Sequence, residues 1–244
     1  MHIVFLILLI IWLAANSIIS ARETRRLKDE VIVERERIRL YKETILWSWV
    51  TVFVVLSICL FSGISFGDIG LCAIDFGYGL YFTALTFVLC AALFAVLLYQ
   101  IISYNISAKH REKVKTRLAK AASKNHHTAV LYNLIIPRSK REKQVFCAVS
   151  VTAGISEEIV WRGFLLYLLF TIFPETQAIA LVLSASAVFG AGHIYQGLNG
   201  ALKTALAGAL FGCLYLVSGS LLPAILLHIY VDFSNIFVLS DDSV

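Results

Sequence analysis

Residues 145–173 read VFCAVSVTAGISEEIVWRGFLLYLLFTIF, an apolar run with Glu157, Glu158 and Arg162 at its centre. A bilayer core about 30 Å thick asks a helix for roughly 20 such residues. A charged side chain at that depth costs about 2.5–3.5 kcal/mol on insertion scales, and each large apolar residue returns only about 0.3–0.6 kcal/mol. The three charges therefore nearly cancel the benefit of the whole run. A span of this kind must turn its charged face toward other helices or a water-filled cavity.

The rest of the chain has the same character. It has 244 residues, 59% of them hydrophobic and 15% charged, with a mean hydropathy of +0.81. Soluble domains average about 45–50% apolar and about 25% charged. Apolar runs lie at roughly 2–20, 44–66, 79–103, 145–173, 178–195, 200–218 and 221–239. They predict an all-α, polytopic transmembrane helical bundle of about seven spans (six to eight), because a helix satisfies its own backbone polar groups in lipid. The strand alternation of outer-membrane barrels is absent.

Of 21 Lys and Arg, eight fall in 21–43 and eleven in 103–144. The positive-inside rule then makes both segments cytoplasmic, with the N-terminus outside and Asp241–Val244 inside. Met1–Ser20 reads as a retained anchor, since its arginines follow the apolar run whereas a secretory signal has them before it. Leu27, Val31, Glu34, Ile38 and Tyr41 follow helical spacing and predict that the first span extends through Arg22–Glu43. The basic run from Lys109 onward reads as a topology determinant drawn to anionic headgroups, at about 1 kcal/mol per charge, and not as a nucleic-acid site. The five cysteines show no CxxC spacing and read as small apolar filler. Ala201, Ala205, Gly208, Ala209 and Gly212 form a stripe of small residues suited to close helix packing.

The candidate chemistry lies in three C-terminal spans. Glu158 and Arg162 are one helical turn apart with the acid first, the favourable order for an ion pair. Glu157 points about 100° away from its neighbour on an α-helix, which leaves it as the candidate base. Phe189 and His193 share a face, and Gly190 and Gly192 leave that face open to close approach. His228 and Asp232 are again one turn apart, so that an acid can orient an imidazole. Facing one another, these spans would bring two imidazoles and a carboxylate to one water. Trp161, Phe189 and Tyr195 are the candidates for lining the substrate cleft.

In this order the three elements resemble the CPBP group of intramembrane proteases, which includes type II CAAX prenyl endopeptidases and bacteriocin-processing and immunity proteins. Glu157-Glu158-Ile-Val-Trp-Arg162-Gly-Phe resembles the first motif, Phe189–His193 the second, and His228–Asp232 the third. The resemblance covers 145–239 and implies an intramembrane protease core there. Residues 1–144 would supply N-terminal helices and basic loops, and 240–244 a short tail. It implies hydrolysis of a peptide bond in a membrane-associated or hydrophobic peptide or protein. Glu157 and His193 would activate water, His228 and its partner would hold the oxyanion, and Glu158 with Arg162 would hold the site together. The third motif often carries Asn where this chain has Asp232, which suits Asp232 better to orienting His228. A metal-free reaction is favoured; zinc, if used, would take Glu157, His193 and His228 as a His₂Glu set. The expected setting is a bacterial cytoplasmic membrane. Two other classes stand beside the protease: a non-catalytic immunity or partner-binding protein of the same fold, and a proton-coupled transporter. Buried carboxylates and histidines suit the transporter as well, but neither inverted repeats nor broken helices are visible.

Overall fold

The computed structural model describes residues 1–26, 33–75, 79–107, 109, 112, 113, 116 and 136–239. Among them there are helices and turns but no strand. The helices are α1 (His2–Arg26), α2 (Glu34–Ser62), α3 (Leu80–Ile106), α4 (Lys140–Glu157), α5 (Leu166–Ile172), α6 (Ala178–Gly192), α7 (Leu198–Ser218) and α8 (Leu222–Leu239). A π-helical segment, Glu158–Leu165, joins α4 to α5, so the described residues form seven rods. Four helices are long and apolar enough to cross a membrane: α1, α2, α3 and α7. Together with two shorter apolar helices, Ala178–Gly192 and Leu222–Ser234, they make this an integral membrane protein built as a helical bundle.

The rods agree with the apolar runs, with differences at their ends. Glu34–Glu43 belongs to α2, not to an extension of the first span. Its acids occupy the first turn of that helix, where the macrodipole favours negative charge. Leu27 and Val31 lie outside the described residues, as do most of the basic loop and the tail 240–244. α2 stops at Gly63, which takes the left-handed conformation at φ 70° and closes the helix through its N–H to Cys59 and Leu60. Only a residue without Cβ does this cheaply. α4 starts in a capping box between Ser139 and Glu142, which satisfies two otherwise orphaned N–H groups.

A buried ion pair fastens α2 to α4. Arg37 Nε donates to Glu142 Oε1 at 2.8 Å, and both side chains are almost wholly buried. The other Glu142 oxygen accepts from the backbone N–H groups of Arg138 and Ser139. Burial alone would raise the Glu142 pKa, but the two N–H groups and Arg37 outweigh it and hold the carboxyl below its ordinary value.

The turn after α2 docks on the turn between α7 and α8. Leu221 N–H donates to Gly70 O, Asp75 N–H to Ser218 O, and Ser220 Oγ to Cys72 O. Ile69, fully buried, presses against the π segment at Gly163. A Cβ on Gly163 would lie 2.7 Å from the Ile69 carbonyl oxygen, so the contact requires glycine there. Cys72 Sγ reaches Gly219 O at 3.2 Å, and all five cysteines are free thiols.

Candidate active site

The π segment begins at Glu158 and ends at Leu165, so Glu158 and Arg162 both lie on it. Such segments are rare and frequently mark functional sites. All eight of its residues are buried, which places a carboxylate and a guanidinium in the bundle interior, away from lipid. Arg162 Nη1 donates to Glu158 Oε1 at 2.9 Å. The guanidinium also lies 4.4 Å from the Phe189 ring centre and 5.5 Å from that of Phe211. Aromatic faces at these distances stabilise a cation that has left water.

Glu158 has a second partner that its sequence spacing does not reveal. His228 Nδ1 donates to the same Oε1 at 2.7 Å. The ring is held from the side as well, stacked on Phe211 with centroids 5.1 Å apart and planes 29° off parallel. Because Nδ1 carries the donated hydrogen, Nε2 is the nitrogen left to face the site. Glu157 Oε2 lies 3.9 Å from it and Asp232 Oδ2 4.0 Å. The contact that orients His228 thus comes from Glu158, with Asp232 set beside the opposite nitrogen. Glu157 and Asp232 keep 29% and 30% of their side-chain exposure, against none for Glu158. The first two are therefore the accessible carboxylates, and Glu158 is the internal one.

Close packing brings α8 to α4 at this level. Gly154 is one turn before Glu158, and a Cβ there would sit 2.4 Å from Ile229 Cγ1 and 3.2 Å from its backbone nitrogen. The residue next to His228 therefore rests directly on the α4 backbone. The small-residue stripe on α7 plays the same part toward α6. A Cβ on Gly190 would lie 2.6 Å from Ala201 O, and one on Gly208 2.9 Å from Arg162 Nη2. Gly190 is thus filled by a neighbouring helix and is not open to a substrate; Gly192 has only ordinary contacts, with Ser17 and Trp161. Trp161 meets Phe189 edge-on at 5.1 Å, and both are buried in the core beneath the site.

His193 does not continue α6. It caps that helix and leads into a 3-10 turn, Ile194–Gln196. Its Nδ1 donates to Phe189 O at 2.9 Å, so the tautomer is fixed as in His228 and Nε2 is the free nitrogen. The ring is 4.7 Å from Phe189 and 5.7 Å from Tyr195. No ion-pair contact within 4.0 Å joins His193 to Glu157 among the described residues, and no three His, Cys, Asp or Glu side chains form a set able to hold a metal. Glu157, His193 and His228 are not gathered into such a set among the described residues.

Phe211, Gly154 and Gly208 are the supporting residues that sequence reasoning did not single out for the site. Gly154 precedes the paired glutamates by one turn, and Phe211 follows Gly208 by three, so each carries a spacing signal.

Residues 143–234 match the family model described as Type II CAAX prenyl endopeptidase Rce1-like. No curated protein and no solved structure matches the chain. Glu157, Glu158, Arg162, His193, His228 and Asp232 all fall inside the matched segment.

Proposed function

We propose, from the match of residues 143–234 to the Rce1-like type II CAAX prenyl endopeptidase model, that the protein is an intramembrane endopeptidase. It hydrolyses a peptide bond of a membrane-associated or hydrophobic peptide by activating water with Glu157, at the end of α4, and His193, the cap of α6. The observation that carries this reading is the arrangement around His228. One buried carboxylate, Glu158, fixes its Nδ1, while an accessible carboxylate, Glu157, lies 3.9 Å from Nε2.

In the proposed reaction, water sits between Glu157 and His193 Nε2 and attacks the scissile carbonyl carbon. Glu157 takes one proton from the water as the new C–O bond forms. The tetrahedral oxyanion is held by hydrogen-bond donors, among them His228 when its Nε2 is protonated. Glu157 then returns the proton to the amide nitrogen as the C–N bond breaks, so that one water is consumed and no other reagent is needed. Glu158 and Arg162 act from below. Their bonds set the ring of His228 and leave the base to its neighbour.

The test uses the full-length protein in lipid nanodiscs and an internally quenched peptide ending in a farnesylated CAAX-type tail. Wild type should release the tail, and Glu157→Gln should lower kcat by about 10²–10⁴, the usual worth of a positioned acid–base group. Unchanged cleavage by Glu157→Gln would remove Glu157 from the mechanism.

A further inference from the structure

Arg162 has a donor group that its described partners leave unused. Nη1 bonds Glu158 Oε1 at 2.9 Å. Nη2, on a side chain only 3% exposed, has no hydrogen-bond partner among the described residues. A buried donor left unmade costs the full desolvation of that group, so Nη2 requires an acceptor. We propose that Arg162 Nη2 and Ser186 Oγ together bind a single water molecule in the small cavity between the π segment, α6 and α7.

Arg162, Ser186, Phe189 and Gly208 all line this cavity, and each is buried. Gly208 has no side chain to fill it. A Cβ there would lie 2.9 Å from Arg162 Nη2, 3.0 Å from Phe189 Cδ1 and 3.4 Å from Ser186 Cβ. One point is therefore close to both polar side chains at once, and Nη2 faces α6 and α7 while Nη1 meets Glu158. The room for a water-sized sphere is about 10 Å³, at the lower edge of the roughly 10–15 Å³ that one water requires. A phosphate or a carboxylate is too large for it, and Glu158 already offsets the charge of Arg162. The two other buried side-chain atoms that lack a partner among the described residues, Ser156 Oγ and Glu158 Oε2, belong to residues that do not line this cavity.

Ser186 supplies the second partner. Its one hydroxyl hydrogen goes to Val182 O at 2.7 Å, which leaves the oxygen lone pairs for an incoming donor. A guanidinium nitrogen can only donate. Two groups so disposed suit water, which accepts from Nη2 and donates to Ser186 Oγ. Two polar partners are the fewest that hold a buried water, whereas a cavity lined by carbon alone stays dry. The water extends to α6 the tie that Glu158 makes to α8. Ser186 lies on the face of α6 that carries Phe189 and, at the helix cap, His193.

The experiment is a crystal structure of the full-length protein in lipid, at a resolution that shows ordered water, for wild type and Gly208→Ala. Thermal unfolding of Ser186→Ala, Arg162→Met and the double variant accompanies it. Wild type should show one water within about 3.2 Å of both Nη2 and Oγ. Gly208→Ala, whose methyl takes the space, should show none. Ser186→Ala should lower the melting temperature by about 2–4 °C, the shift that one lost hydrogen bond makes in a protein of this size. The lost Ser186–Val182 bond enters both backgrounds and cancels, so a bridging water appears as a smaller Ser186→Ala effect in the Arg162→Met background. Equal effects in the two backgrounds would overturn the bridge. So would a wild-type structure with no water in the cavity, or one in which Nη2 turns to Glu158 Oε2. Should Arg162→Met fail to fold, the wild-type and Gly208→Ala structures decide alone.

Discussion

His228 donates Nδ1–H to Glu158 Oε1 over 2.7 Å, and the same oxygen accepts from Arg162. One buried carboxylate atom thus ties an imidazole on α8 to a guanidinium on the π segment. This bond decides which imidazole nitrogen faces the site. It also makes Glu158 a positioning residue whose loss should affect both stability and turnover.

Breaking that tie from either end should be costly. Removing one partner of a buried ion pair leaves an uncompensated charge, at about 3–5 kcal/mol. Glu158→Gln and Arg162→Met should each lower the melting temperature in detergent markedly. The double variant Glu158→Leu/Arg162→Met should recover part of the stability and none of the cleavage, since His228 would still lack its anchor. Single variants that melt like wild type would show that the pair contributes nothing to the fold.

Gly154 should be intolerant of a methyl group. A Cβ there meets Ile229 at 2.4 Å, and overpacking of this kind costs about 1–3 kcal/mol. Gly154→Ala should therefore destabilise the protein and slow cleavage by moving α8, and with it His228, away from Glu158. Ile229→Ala in the same chain should restore stability, because the clash is with a side-chain carbon first. Failure of Ile229→Ala to rescue would point to the backbone contact as the cause.

Much of this bundle was legible in the chain. The apolar runs mark all seven rods, and the spacing of Glu158 and Arg162 announces their pair, because both signals are local and periodic. The long-range contacts are not of that kind. Glu158 and His228 are 70 positions apart, and Arg37 and Glu142 are 105 apart; no periodicity reports on such a meeting. Helical spacing also misled at Glu34–Glu43, where a continuous amphipathic pattern hides the boundary between α1 and α2. Spacing did separate Glu157 from the Glu158–Arg162 pair, but it could not show that both acids approach His228, one at each ring nitrogen. The π segment that starts at Glu158 has no sequence signature in the 3.6-residue period.

The Arg37–Glu142 pair makes a pH prediction remote from the site. The folded-state pKa of Glu142 is lowered, so the stability it contributes is present above its unfolded value, near 4.5, and is lost as pH falls through the folded value. Thermal unfolding measured from pH 7 downward should show a decline below about pH 4.5 that is smaller in Glu142→Gln. An identical decline in the variant would mean that other carboxylates account for it. Arg37→Ala should lower stability at pH 7, where Glu142 is ionised and would lose its buried partner.

The most direct test of the account is a quantitative membrane-proteome comparison of cells carrying wild type with cells carrying Glu157→Gln at equal protein level. The account predicts that at least one membrane-associated precursor accumulates in the Glu157→Gln cells and that its shortened product disappears. Identical precursor and product profiles in the two strains would contradict hydrolysis by Glu157-activated water.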